Sequence, residues 1–487
     1  MAIKHGVYIY EDKTVLTTPA RAENSVQVVI GAAPVNQLDD PAAVTNVPIL
    51  CNSSAEAREK LGYSNDFYMY PLCQSMYING LFNVGLVVYI NVLDVSTMKG
   101  SQATATIEPP FESVIKLTTD HIIKSSVSIV QTVDSVPNSL TKDVDYTLSY
   151  DDDGKLLISL IPGDNVWPDM PITVTYTPAT PNSVQSSQIV GSYNASTGVA
   201  TGAELIRYVY PRLDVVPSII LAPRLSHGSA VGSALSAKAA NINGIFKGMA
   251  LLDVNPNTRT PSDAGASKAE NGFTSPHCIC VWPWVEISGH LLCGSVVLAA
   301  LMARTDALND GVPSRSPSNL LIGTSNIRVC DGNRKEILLD LDQANAVNDY
   351  GIVTFIHMNG WRSWGNYTGA YTVAEDPKDV WIGPRRMFNW QGNTFILRYF
   401  EKVDNPMNQV LIESIVDSEN IRCAAYAPDK WAGATIEYRK EDNPLTDILA
   451  GKITFRQRIA PYTPAQEIDN ILSYDTQMLN DALSQIG

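Results

Sequence analysis

Residues 278–307 read CICVWPWVEISGHLLCGSVVLAALMARTDA. The opening CICVWPWVEI is apolar with little alternation, which predicts a strand buried on both faces, and HLLCGSVVLAALMART predicts the helix that follows it. Strand followed by helix is the grammar of an α/β sheet. It recurs upstream: QVVIGAAP (27–34) and VGLVVYINVL predict buried strands. Between them lie SSAEAREKLG, capped by Ser53 or Ser54 and stopped at Gly62, and a helical PLCQSMYINGLF. After residue 205 the pattern resumes with VVPSIILAPRL, the helix SALSAKAANI and the strand GMALLDV.

Between Ser96 and Gly202 the text changes to Thr-, Ser- and Val-rich strands. In DYTLSYDDDGKLLISL the pair Asp153-Gly154 predicts a hairpin turn. From Thr97 to Glu204 there are 12 acidic and 5 basic residues, so this stretch carries nearly half of the chain's net charge of -15. An inserted, outward-facing β module accounts for both features. Beyond LDLDQANAVNDYGIVTFI comes a mixed unit. It holds a strand IVTFIHM, a Trp-rich corner, a helix NWQGNTFILRYFEKV, an amphipathic stretch ending NIRCAAYA, and strands TIEYRKE and GKITFRQRIAP. HGVYIYEDKTVL near the start and PYTPAQEIDNILSYDTQMLNDALSQIG at the other end have no core of their own and read as arms.

The 487 residues suggest about three domains. The expected fold is a multidomain chain of the α+β or α/β class: a mixed-sheet core with an inserted all-β domain and extended N- and C-terminal arms. The expected boundaries are an arm at 1–25, a core at 26–96 plus 206–345, an insertion at 97–205, a C-terminal inner domain at 346–463 and a second arm at 464–487.

A net charge of -15 opposes phosphate binding, so no nucleic-acid partner is expected. No apolar run reaches the roughly 20 residues that span a bilayer, and no secretory pattern opens the sequence, so neither membrane insertion nor export is expected. The cysteines Cys51, Cys73, Cys278, Cys280, Cys293, Cys330 and Cys423 are scattered in apolar text and read as reduced thiols. His277, Cys278, Cys280, His290 and Cys293 cluster without zinc-knuckle spacing, and DDDG at 151–154 lacks the downstream glutamate of a calcium loop, so no metal is expected. Neither a P-loop nor a G-x-S-x-G elbow occurs, and no cofactor is expected.

The most site-like segment is FIHMNGWRSWGNYTGAY (355–371). His357, Trp361, Arg362, Trp364 and Asn366, followed by Glu375, Asp376 and Asp379, could stack and hydrolyse a sugar, which keeps a carbohydrate-active enzyme as the alternative reading. The same residues also suit a strand, an Asn359-Gly360 turn and a seam of buried tryptophans.

Several segments together resemble the contractile tail sheath proteins of bacteriophages and phage-tail-like bacteriocins. HGVYIYED is similar to the opening of sheath subunits. The run to residue 319 matches a sheath signature at Ala303, Arg304, Thr305, Asp306, Pro317 and Asn319. The next run matches at Asn348, Gly351, Ile352, Gly360, Trp364, Gly365 and Thr368, then at Arg385 and Arg386, and IAPYTPAQEI is similar to the terminal segment.

The resemblance implies a mechanical subunit without catalytic residues. It forms six-membered rings stacked helically around an inner tail tube protein and contracts without nucleotide hydrolysis. Its other partners would be baseplate and tail terminator proteins, and it would assemble in a bacterial host cytoplasm. The arms would add strands to neighbouring copies through Val7, Tyr8, Ile9 and Tyr10 at one end and Ile468, Ile471, Leu472 and Tyr474 at the other. Gly360, Trp364 and Gly365 would form a structural corner. Arg385, Arg386, Arg456 and Arg458 would either face the tube or form ion pairs within the subunit.

Overall fold

Six segments bury nearly every side chain, the condition for a parallel sheet covered on both faces. In the computed structural model, which describes residues 25–109, 111, 114–133, 136–323, 326–330 and 334–484, they are neighbours in one sheet. They are β1 (Val26–Gly31), β3 (Val87–Asn91), β4 (Pro217–Leu221), β5 (Met249–Asp253), β6 (Cys278–Val281) and β7 (Ile352–His357). Two antiparallel edge strands, β2 (Pro48–Cys51) and β8 (Trp361–Trp364), complete the order β8-β7-β6-β5-β4-β1-β3-β2. The mixed α/β class expected from the sequence is the class observed.

Strand β6 is shorter than the apolar text suggested. The chain breaks at Trp282-Pro283, where proline cannot donate to a ladder. Trp284–Ile287 then joins a separate three-stranded sheet with His290–Leu292 and Asn326–Arg328. Residues 290–292 are therefore strand, and the helix begins later, at Gly294. The expected inner domain also loses its first part, because β7 and β8 belong to the core sheet. The reason is register: Cys280 and Val281 pair in parallel with Ile352 and Val353.

The inserted β unit is narrower than 97–205. A four-stranded sheet (Ala103–Ile107, Ile172–Tyr176, Ser128–Val133, Val136–Ser139) and a three-stranded one (Ile115–Lys116, Leu156–Leu160, Tyr146–Tyr150) enclose their own apolar cluster. Residues beyond Tyr176, including Ala179, Val184, Ile189 and Ala200, pack instead into the main core. A polar clasp joins the two units. Asp39 pairs with Lys124 (2.9 Å) and Lys142 (2.5 Å), which hold its carboxyl below the usual range, and Asn36 donates to the Ile122 carbonyl (2.9 Å).

Open α/β sheets take ligands at the carboxyl ends of their strands. Here that edge is filled by helix starts. Helix α1 (Pro71–Phe82) begins against β1, where Leu72 N–H donates to the Ala32 carbonyl (3.3 Å). Helix α2 (Gly294–Ala307) begins against β5: Asp253 accepts the Ser295 N–H (3.0 Å) and the hydroxyls of Ser295 (2.6 Å) and Ser226 (3.0 Å). Burial pushes the Asp253 carboxyl upward.

Two helices follow the sheet, α3 (Ile382–Tyr399) and α4 (Gln409–Ala425), and then a two-stranded hairpin, β9 (Trp431–Tyr438) and β10 (Phe455–Pro461). Helix α3 starts seven residues before the sequence reading placed it, with Pro384 in its first turn, where no N–H is needed. Arg386 of α3 meets Asp306 at the end of α2 in a buried bidentate pair, and Ser25, one residue before β1, donates its hydroxyl to the same carboxylate. Asp306 is fully buried and Arg386 nearly so.

Removing one partner of such a pair strands the other charge in a dry site. Asp306→Ala is therefore expected to cost about 3–5 kcal/mol in denaturant unfolding, and Asp306→Leu with Arg386→Met distinctly less. Equal losses for the single and double changes would contradict the pairing.

Candidate functional site

The segment 355–371 is built by two left-handed turns. Between β7 and β8, Asn359 and Gly360 take φ of 51° and 98°, and Met358 N–H closes on the Gly360 carbonyl (3.0 Å). At the far end of β8, Gly365 has φ 137° and donates to Ser318 Oγ (3.0 Å). A Cβ there would lie 2.9 Å from Asn348 Nδ2 and 3.1 Å from Val353 Cα. Asn348 donates to the Ile352 (3.0 Å) and Trp364 (3.1 Å) carbonyls, while Trp364 Nε1 donates to Asn345 Oδ1 (3.0 Å). Buried Lys268 fastens the next bend, donating to the carbonyls of Tyr350 (2.6 Å) and Gly369 (2.8 Å).

The groups that suggested sugar chemistry are spent on this framework. Arg362 donates to the Met358 and Asn319 carbonyls (both 3.0 Å), and the exposed His357 lies edge-on to Trp361. Asp376 caps the short helix Pro377–Val380 and pairs with Lys378, Asp379 pairs with Arg385 (2.7 Å), and Glu375 is exposed. The clustered thiols and imidazoles are likewise engaged in contacts within the fold. His277 faces the Gly248 carbonyl (3.0 Å), Cys278 Sγ the Ser275 carbonyl (3.3 Å), and Cys293 Sγ accepts from Arg224 N–H (3.2 Å); His290 packs on Phe67 and Tyr77. Among the described residues no group of three or more acidic, imidazole or thiol side chains is arranged to hold a metal.

What the corner does hold is the root of the C-terminal segment. Gln466 Nε2 donates to Tyr367 OH (2.7 Å), and Asn366 Nδ2 donates to Gln466 Oε1 (3.3 Å). Beyond that point Ile468, Ile471, Leu472 and Tyr474 are each at least 78% exposed, an arrangement water disfavours for four large apolar side chains in a row. The chain then forms helix α5 (Thr476–Ser484), whose Met478, Leu479 and Leu483 are also exposed. Val7, Tyr8, Ile9 and Tyr10 lie outside the described residues.

The hairpin β9–β10 is locked to both helices by a network that the sequence reading missed. Glu419 of α4, fully buried, accepts from Arg422 Nη2 (2.6 Å), Gln391 of α3 (2.7 Å), Gln457 of β10 (3.1 Å) and Tyr399 OH (3.1 Å). Burial opposes ionisation, but the hydrogen bonds from Arg422 and Gln391 outweigh it and hold the Glu419 carboxyl at about 2. The Glu419/Arg422 spacing of three on a helix was the available signal. Trp390, Tyr426 and Trp431 pack edge to face beside the network. Arg385 and Arg386 lie inward in the ion pairs already described. Arg456 and Arg458 face outward on β10, paired with Asp442 (2.7 Å) and Glu437 (3.4 Å). Among the described residues nothing pairs with the outer edge of either strand.

Gly365→Ala adds both a Cβ clash and a disfavoured φ, so a loss of about 1–3 kcal/mol is expected in thermal or denaturant unfolding; an unchanged midpoint would show that the corner can relax. Because the folded carboxyl of Glu419 titrates near 2 and an unfolded glutamate near 4.5, its contribution is complete above the unfolded value and is lost as pH falls toward the folded one. Stability measured from pH 6 down to 2 should therefore decline less steeply in Glu419→Gln than in wild type, and parallel profiles would argue against this assignment.

No protein-family model matches the chain. A prophage major tail sheath protein of Pseudomonas aeruginosa (strain UCBPP-PA14) is 25% identical over 313 residues, 61% of this chain and 75% of that protein. The major tail sheath protein of Serratia phage KSP20 is 25% identical over 235 residues, 46% of this chain and 57% of the relative. In fold, the sheath complex of an extracellular contractile injection system, PVC, in its contracted state superposes with a TM-score of 0.57 at 13% identity, covering 98% of this chain and 99% of that one. The chain is thus related in sequence to the tail sheath proteins of phages and prophages, and it has the fold of a contractile injection system sheath.

Proposed function

We propose that the chain polymerises as stacked six-membered rings around an inner tube and contracts to drive that tube through a bacterial envelope without hydrolysing nucleotide. The observation that carries this reading is a complementarity left open within one chain. Residues 462–484 project with their apolar side chains uncovered, and among the described residues the β9–β10 hairpin has two unpaired strand edges. Exposed edges are managed by covering them or by pairing with another chain, and strand addition between copies satisfies both features at once. The edge carries the main-chain ladder, while the rigid helices behind it keep its position. Such a ladder persists when neighbouring subunits change their mutual angle, because the joining segment can swing about its root at Gln466. The energy for contraction would then be stored at assembly, as a difference in contact area between two arrangements of the same subunits.

In this reading the inner tube, a baseplate and a tail terminator are the further partners, assembly occurs in the bacterial cytoplasm, and the inserted β unit faces outward. Negative-stain microscopy of the purified full-length chain is expected to show hollow cylinders with six-fold end views. A protein that stays monomeric over a wide range of concentration and salt would overturn the proposal.

A further inference from the structure

The inserted β unit is seated on the core by several polar contacts, and one of them carries an imidazole. Besides the clasp of Asp39 with Lys124 and Lys142, His121 is turned out of its loop by a φ of 59°. Its carbonyl accepts the Ala179 N–H (2.8 Å), where the chain returns to the core. Its ring lies edge-on to that of Tyr70, just before α1, with centroids 5.2 Å apart. The carbonyl of the next residue, Ile122, accepts from Asn36 Nδ2 (2.9 Å) and from Tyr150 OH (2.8 Å). Only 19% of the His121 side chain is exposed.

The hydrogens available at this contact fix the tautomer. Tyr70 OH has one hydrogen, and it goes to Asn36 Oδ1 (2.9 Å), since the Asn36 amide nitrogen is already the donor to Ile122. The 3.0 Å contact between Tyr70 OH and His121 Nδ1 is therefore donated by the ring. A neutral imidazole then keeps Nε2 bare, facing Asp66 Oδ2 at 4.0 Å, too far for a hydrogen bond. A proton added at Nε2 meets counter-charges that are engaged elsewhere. Asp66 Oδ1 accepts the Met69 N–H (3.1 Å), and Asp120 is paired with Lys155 (2.5 Å), whose own charge opposes a cation here. Burial pushes the hydroxyls of Tyr70 and Tyr150 upward, so neither adds a negative charge. A cation enclosed without a close partner costs free energy that the neutral ring does not. Burial accordingly holds the imidazole below its ordinary value of 6.5, against the pull of Asp66 and Asp120.

We propose that His121 makes the seat of the inserted unit sensitive to acid: the neutral ring fixes the unit on the core, and the protonated ring releases it to swing on the Asp39 clasp. Because the seated form favours the neutral imidazole, its contribution is complete above 6.5 and is lost as pH falls from there toward the lower, seated value. Asp39 titrates in a different range. Its carboxyl is held below 3.8 by Lys142 and Lys124, so at pH 5 both lysines still grip it. Mild acid thus loosens one contact and leaves the other, which is the condition for a pivot. The device lies within one chain and is independent of how copies assemble.

Hydrogen exchange of the full-length chain, followed by mass spectrometry, reads both the titration and the release. Exchange at the imidazole C2 carbon should give His121 a midpoint below 6.5. The Asn65 N–H donates across the contact to the Asp152 carbonyl (2.8 Å). Segments containing Asn65 and Ala179 should lose protection about fivefold between pH 7.5 and pH 5, after correction for the intrinsic rate. Residues 172–176, paired inside the unit with 103–107, should stay protected, which separates release from unfolding. His121→Asn places an amide where Nδ1 stood and tolerates the positive φ, so it can donate to Tyr70 without titrating. Its protection at Asn65 and Ala179 should be the same at both pH values. The proposal is overturned by a His121 midpoint at or above 6.5, by wild-type protection unchanged in acid, by loss at 172–176 in step with the contact, or by an equal acid response in His121→Asn.

Discussion

The buried pair between Asp306 and Arg386 is the contact on which the arrangement of the chain turns. It joins the end of α2, the first turns of α3 and, through Ser25, the entrance to β1, three places far apart in sequence. A charge pair in a dry site gains little net stability over apolar packing, but it tolerates very few geometries. The helices and hairpin beyond residue 382 are thereby set at a fixed angle to the sheet. The corner at 359–369 enforces the same relation from the other side, with Asn348 and Lys268 tying successive bends to neighbouring helices.

The way the strand ends are used fits a structural role. In sheets of this type the carboxyl ends of the parallel strands bound a crevice for ligands. Here Asp253, Ser226 and Ser295 turn inward to fix the start of α2, and Gln74 accepts the Cys293 N–H (2.9 Å) to bind α1 and α2 together. Polar groups that could have addressed a ligand are consumed in making the scaffold stiff.

The alternation of strand and helix and the β-rich insertion were legible because each rests on a local period or composition. The resemblance singled out Ala303–Asp306 and Arg385–Arg386 without showing that Arg386 reaches Asp306 across eighty positions. Boundaries failed where tertiary context overrode pattern. Trp282-Pro283 cut one apolar run into strands of two sheets, Ile352–Trp364 joined the core through pairing with β6, and Ala179–Ala200 was claimed by the core's apolar surface. The corner's role was the hardest to read. His357, Trp361, Arg362 and Asn366 have the composition of a pocket, and nothing local shows that Asn366 and Tyr367 meet Gln466, about a hundred residues later.

In the proposed assembly, the pinning of Gln466 sets how strongly copies would hold together. The stretch from Glu467 to Tyr474 spans at most about 27 Å when extended. Its free end therefore samples a small volume around the corner, and a receiving edge inside that volume meets it at an effective concentration in the millimolar range. Once a subunit is joined at one contact, each further contact becomes an intramolecular event. A pairing of modest intrinsic strength can then break and re-form while the assembly as a whole stays connected.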